Sequence, residues 1–278
     1  VIALLLALGS SLAYGCADFL GGLGARKAHV LRTVMVAAPA SLAVELVLWP
    51  VLGASFSAQT LAWGIASGVA SAAAFALLYR TLAIGPMSVL SPVTALVSAA
   101  VPVGVGLLQG ERLATTGLVG LPLALVAIVL VSAGGGTGPA RPSRTALLLA
   151  FGAGAAIAGQ LIFLHQAPFD SGVGPLITGR AVSSIVTLTA AGLMRRKLGT
   201  ERPAYAMSAA AGALDSVANL LFLLASRSGD LAVAAVIVAL YPASTVLLAR
   251  GVLAERVRRS QLVGLGAAAL AVSLLALA

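Results

Sequence analysis

Asp215 and Asn219 lie one helical turn apart, with Asp215 about ten residues from either end of a largely apolar run. A carboxylate and an amide so placed can hold an ammonium group, carry a proton or orient a hydroxyl. A charge at the centre of a lipid-embedded helix costs about 2.5–3.5 kcal/mol on insertion scales, so each one needs a purpose. Ser11, Tyr14 and Asp18 recur at i, i+3 and i+7 and share a helical face. Gln160 and His165 interrupt a third apolar run, Ser91, Thr94 and Ser98 line one face of a fourth, and Tyr241 precedes Pro242 in a fifth. Tyr79, beside Arg80, closes a sixth. Tyrosines join an apolar ring to a polar tip and suit an amphipathic organic ligand.

Each of these residues also has a purely architectural reading. Serine and threonine bond back to their own helix or join neighbouring helices. Tyr79 suits an interfacial aromatic belt, and the glycines after Asp18 place it near a membrane surface. Glu45 and Arg180 read as structural, satisfied near the interfaces, because long basic side chains can snorkel. Histidine-dependent catalysis has only His29 and His165 to draw on, with no His-Glu-x-x-His and no Gly-x-Ser-x-Gly with a histidine partner. A single cysteine, Cys16, excludes an internal disulfide and a cysteine-built metal site. Gly134-Gly135-Gly136 lacks the Lys-Ser/Thr that a phosphate-cradling loop requires. No enzyme activity, metal or cofactor is expected.

The elements that carry these residues must be membrane helices. Apolar residues make up 60% of the 278, charged residues only 9%, and mean hydropathy is +1.08. Soluble domains need about 25% charged residues to face water. The net charge of +9 marks membrane orientation, not nucleic-acid binding, because the basic residues flank short breaks between apolar runs. About 20 apolar residues cross a hydrocarbon core. The pattern predicts spans at Val1–Gly22, Val30–Val51, Ala62–Ala83, Ser88–Leu108, Thr116–Ala133, Ala146–His165, Gly174–Met194, Ala204–Ser226, Leu231–Leu248 and Ser260–Ala278. The first is expected to be a helix of the mature protein and not a signal peptide, lacking an A-x-A-like site before Gly15. A start at Val1, without methionine, leads us to expect further residues upstream.

Residues 134–144, rich in Gly and Pro, read as a hinge between two halves, 1–133 and 145–278. Laying Glu111-Arg112 over Glu255-Arg256 sets an offset of 144. In that register Leu118-Val119-Gly120-Leu121 meets Leu262-Val263-Gly264-Leu265 without a gap. Five spans per half is odd, so the second half enters the bilayer from the opposite side. The predicted fold is all-α, ten transmembrane helices as two inverted five-helix repeats. Inverted repeats are the architecture of secondary transporters, whose site lies near midplane between them. Gly64/Gly68 and Gly106/Gly110 form Gly-x-x-x-Gly pairs that predict close helix crossings. Pro92, Pro102 and Pro242 predict bends.

Ten helices in two halves, each with Gly-Glu-Arg or Ala-Glu-Arg before its last helix, resemble the drug/metabolite transporter superfamily. The EamA branch is the nearer likeness, through Tyr14-Gly15-Cys16-Ala17-Asp18-Phe19-Leu20-Gly21-Gly22 and through Gly229-Asp230-Leu231 continuing to Leu240-Tyr241-Pro242-Ala243. The resemblance implies a bacterial inner-membrane transporter, often an exporter of amino acids or related metabolites. It also implies a central cavity lined by the first, third, fourth, sixth, eighth and ninth helices. Candidate substrate-binding residues are Tyr14, Asp18, Tyr79, Ser91, Thr94, Gln160, Asp215, Asn219 and Tyr241. The expected partners are a small-molecule substrate, the lipid bilayer and, as a coupling ion, protons; nucleic acid is not expected, and a monomer is expected to function. Two other readings stay open: a multidrug or cation/proton antiporter, weakened by the absence of a first-helix glutamate, and an intramembrane enzyme.

The breaks after odd-numbered spans, with their flanking turns, hold 14 of the 17 basic residues, among them Arg26, Lys27, Arg32, Arg141, Arg195, Arg196 and Lys197; the even breaks hold only Arg112 and Arg227. Counting by the positive-inside rule places the odd breaks in the cytoplasm and both termini outside. The family resemblance implies the reverse.

Overall fold

The computed structural model describes residues 1–25, 29–84, 87–111, 113–132, 143–194, 198, 201–253 and 258–276. Among these the fold is all-α. The first half contributes α1 (Ile2–Ala25), α2 (Val30–Leu52), α3 (Ala58–Ile84), α4 (Met87–Leu108) and α5 (Thr115–Ser132). The second contributes α6 (Arg144–His165), a 3-10 turn at Phe169–Ser171, α7 (Gly174–Leu193), α8 (Tyr205–Ser228), α9 (Leu231–Val238), α10 (Tyr241–Leu253) and α11 (Arg259–Ala276). Five stretches are individually long and apolar enough to cross a membrane: Ile2–Gly21, Leu31–Leu52, Arg144–His165, Gly174–Leu193 and Tyr205–Ser228. The chain is a multi-pass membrane protein, and large apolar side chains such as Leu12, Val47, Leu148, Ile185 and Val263 point outward, where lipid replaces water.

The predicted ninth span is broken. α9 ends at Val238 and α10 begins at Tyr241, with a turn at Ala239 and Leu240 between them. Pro242 has no N–H to donate to Val238, and its ring crowds that carbonyl. Tighter bonds replace the lost one, from Leu240 N–H to Ile237 O at 3.2 Å and from Ala243 N–H to Leu240 O at 2.9 Å. α4 continues through Pro102 without a break.

The two glycine pairs behave differently. Gly64 and Gly68 form the predicted crossing. A Cβ on Gly64 would come 2.7 Å from Thr178 Cβ, and one on Gly68 would strike the backbone of Gly179. This is where α3 lies on α7. Gly106 and Gly110 make no helix crossing, contrary to the sequence expectation. Gly110 (φ +93°) ends α4, with Glu111 N–H on Gly106 O at 3.0 Å and Gly110 N–H on Leu107 O at 3.1 Å. That is a Schellman turn, which needs a left-handed residue at its centre. The same spacing serves two purposes because Gly110 lies past the last apolar turn.

The contacts repeat with the offset of 144. α1 packs on α8 as α6 packs on α3; α2 packs on α8 as α7 packs on α3; α1 meets α10 as α6 meets α4. α5 pairs with α11, its own image. There a Cβ on Gly120 would meet Leu274 and Leu275, and one on Gly264 would meet Leu130 and Val131, the same four positions displaced by 144. The interfaces are built from small residues, with Ala95, Ala99, Ala124, Ala127, Ala150, Ala153, Ala158 and Ala225 fully buried. Small side chains let backbones approach, which is what drives helix association in lipid.

Candidate functional site

Three charged side chains, two of them buried and Asp215 partly accessible, meet where α2, α7 and α8 converge. Arg180, on the second turn of α7, sends one guanidinium nitrogen to Asp215 Oδ2 at 2.6 Å and lies 3.7 Å through Nε from Glu45 Oε1. Ser216 donates to the same Glu45 oxygen at 2.9 Å. Glu45 is 1% exposed and Arg180 5%. This corrects the sequence expectation that both are satisfied near the interfaces, since they pair with each other inside the protein. Arg180 has no need to snorkel, because the two carboxylates that balance it arrive on neighbouring helices. The signal available in the sequence was the charge count across spans, since a lone mid-span arginine demands acidic partners on other helices.

Asp215 links this triad to an amide pair. Asn219 donates to the Asp215 carbonyl at 2.8 Å and accepts from Gln160 Nε2 at 2.8 Å. Asn219 is fully buried, and Ser67 donates to the Gln160 carbonyl. α3, α6, α7 and α8 leave a small cavity here, lined by Ser67, Ser71, Gln160, Arg180 and Asn219 together with the apolar Leu164, Pro175 and Leu176. The Ser71 hydroxyl is buried with no hydrogen-bond partner among the described residues.

The aromatic residues form a second group. Tyr14 of α1 and Tyr241 at the start of α10 face each other with ring centroids 6.5 Å apart and planes tilted by 55°. Gly15 makes this possible, because a Cβ there would strike Ser244 and the Tyr241 carbonyl. Thr245 bonds both Gly15 O and Tyr241 O, at 3.2 and 3.3 Å. One turn on from Tyr14, Asp18 is exposed near the odd-face end of α1. Its charge is within electrostatic range of both Asp215 and Tyr241. Two aspartates beside two tyrosine rings suit a cationic group, through charge and ring quadrupole, and the Gln160–Asn219 amides and Arg180 suit a polar or anionic one.

Of the sequence candidates, the structure brings Gln160, Asn219 and Asp215 together, and Tyr14 with Tyr241. Thr94 stands elsewhere, buried at the α4–α6 contact and donating to Ala150 O at 3.3 Å. Ser98 bonds back to Ala95 O of its own helix. The side chains of Tyr79 and Ser91 lie outside the described residues, as do Arg112, Glu255 and Arg256.

The even face carries contacts between loops and between the halves that sequence reasoning missed. Ser55 N–H bonds Ser171 O and Val173 N–H bonds Gly53 O, joining the α2–α3 and α6–α7 loops. Arg227 bonds Pro168 O, Gly172 O and Ser171 Oγ from beneath. Glu111 spans the two halves: its carboxylate accepts from Leu231 N–H at 2.6 Å and Ala232 N–H at 3.0 Å. It thereby caps the first turn of α9, whose unpaired N–H groups and dipole attract an anion.

Comparison with known proteins agrees with this architecture. Residues 144–277 match the model of the EamA-like transporter family. Twenty-six solved chains resemble the fold. One crystal structure superposes with a TM-score of 0.79 at 13% identity, covering 99% of this chain and 96% of that one. No curated protein matches in sequence.

Proposed function

The chain belongs, through residues 144–277, to the EamA-like transporter family, whose members move small solutes across membranes, and from that premise we propose that it exports amino acids or related metabolites. The observation that carries this reading is that α1, which packs on both α8 and α10, brings the Tyr14–Tyr241 pair toward the Gln160–Asn219–Asp215 set, with Asp18 in electrostatic range of Asp215 and Tyr241. An amino acid offers an ammonium group to the aspartates, a carboxylate to the Gln160–Asn219 amides, and a side chain to the rings. Residues 1–133 and 145–278 act as two inverted repeats whose rocking exposes the site to each face in turn; most of the expected linker, 134–144, lies outside the described residues. The protein works as a monomer in a bacterial inner membrane.

The test is flux from liposomes carrying the purified protein and loaded with the twenty radiolabelled amino acids. Saturable efflux above that of empty vesicles is expected. Leakage no faster than from empty vesicles overturns the amino-acid reading, and uptake of cationic dyes instead would favour a multidrug antiporter.

A further inference from the structure

We infer that Glu45 is a proton-binding site that couples transport to proton movement, with Arg180 passing between two carboxylates as the switch. The inference deepens the transport reading above and rests on it. Arg180 is a single guanidinium shared by two buried acids in unequal settings. Its contact with Asp215 is short, at 2.6 Å, and its contact with Glu45 long, at 3.7 Å. Asp215 keeps 19% of its side chain accessible and Glu45 1%. Glu45 Oε2 is buried with no hydrogen-bond partner among the described residues. An ionised carboxylate has about four acceptor sites to satisfy, and Glu45 meets one donor, Ser216, besides the distant arginine. That is poor housing for a second negative charge and adequate housing for a neutral acid.

Charge balance then defines two neutral states. In the first, Arg180 pairs with ionised Asp215 while Glu45 holds a proton. In the second, an ammonium group of the substrate takes Asp215, the accessible acid, and Arg180 closes on Glu45. Glu45 loses its proton to water on the side from which the substrate entered, so one ammonium group joins the acids as one proton leaves, while the substrate carboxylate stays with the Gln160–Asn219 amides. Substrate release on the far side reverses the steps with a proton from that side, which makes the cycle an exchange. Among Arg180, Asp215, Glu45 and the ammonium group, both states hold equal numbers of opposite charges, whereas a mixed state strands one. The groups facing Glu45 are Arg180 from α7, Asp215 and Ser216 from α8, and Tyr14 from α1.

Infrared difference spectra of the purified protein across a pH titration test the proton site directly. The carbonyl stretch of a protonated, buried carboxylic acid is expected in the wild type and lost in Glu45→Gln. Should that variant fail to fold, Ser216→Ala serves. It removes the donor that favours the charged form, so the band must persist to higher pH than in the wild type. A band that survives Glu45→Gln, or that is unmoved by Ser216→Ala, overturns the inference. In liposomes carrying the amino-acid mixture, a pH gradient is expected to drive wild-type accumulation toward about tenfold per pH unit, and Glu45→Gln toward none. Wild-type flux indifferent to the gradient also overturns the coupling while leaving the transport reading intact. A Glu45 band without any amino-acid flux keeps the proton on Glu45 and removes amino acids as the cargo.

Discussion

The α5–α11 pair and the α2–α7–α8 junction occupy one scaffold but follow different rules. At α5–α11 the two halves are interchangeable: Gly120 and Gly264 meet equivalent residues, and all are apolar. At the junction no functional residue has its like in the other half. In the register of 144, Arg180 falls on Val36, Asp215 on Ser71, Glu45 on Thr189, Gln160 on Cys16 and Tyr241 on Val97. The twofold relation therefore belongs to the packing, and the chemistry has been placed once. A symmetric set would bury a second arginine and further acids, at several kcal/mol each.

Removing the arginine should break the comparison most. Arg180→Leu leaves two buried carboxylates without their counter-charge and should cost about 3–5 kcal/mol, read as a fall in the thermal unfolding midpoint of the purified protein. A midpoint equal to the wild type would mean that the junction does not hold these helices together. Next come the glycines of the symmetric pair. A side chain at Gly264 meets Val131 N at 2.7 Å, and one at Gly120 meets Leu274 and Leu275 side chains at 3.1 Å. Gly264→Leu and Gly120→Leu should each cost about 1–3 kcal/mol, the former more because backbone cannot yield. If either is neutral, the reciprocal crossing is wrong.

Asn219→Leu and Asp215→Asn should lower amino-acid flux by about tenfold or more, equivalent to 1.4 kcal/mol in the barrier. A double-mutant cycle of Gln160→Leu with Asn219→Leu should give a stability coupling of only about 0.6 kcal/mol, the average for such bonds in membranes. Flux losses that merely track stability would return the amide pair to helix glue. The least perturbing experiment fixes which face of the protein is cytoplasmic. Ser171 is fully buried and bonded to Pro168 and Arg227, so a label there would report burial, not sidedness. In a Cys16→Ser background, Asp170→Cys and Ser143→Cys are both exposed positions. Impermeant reagent applied to whole cells should modify the first and spare the second if the basic odd face is cytoplasmic; the reverse pattern overturns the charge count.

Much of the scaffold was legible because lipid imposes length and apolarity on each span. The start of α9 at Leu231 and of α7 at Gly174 fell where breaks in the apolar runs predicted them. The register of 144 came from Glu111 and Glu255, but the task of Glu111 did not. A carboxylate that caps a helix 120 residues away leaves no local pattern. The site was half legible for a related reason. Asp215, Asn219 and Gln160 stood out as polar residues in apolar runs, and they do meet. Glu45 and Arg180 stood out equally, yet one-dimensional spacing cannot say that two helices from different halves turn them toward each other. The break at Ala239 was signalled by Pro242 and not by Pro102, since a proline bends or breaks a helix according to what its neighbours can supply.

The pairing of helices across the halves has a consequence for how the protein is made. α1 rests on α8, α3 on α6 and α7, and α2 on α7 and α8, while contacts within the first half are sparse. Chains emerge from the ribosome N-terminal end first, so the first five helices enter the bilayer before any of their main partners exist. Until α7 is inserted, Glu45 has no arginine, and until α8 follows, neither Glu45 nor Ser10 has the partners it bonds in the finished protein. Assembly is in this sense a waiting problem: the half made first is completed only by the half made last.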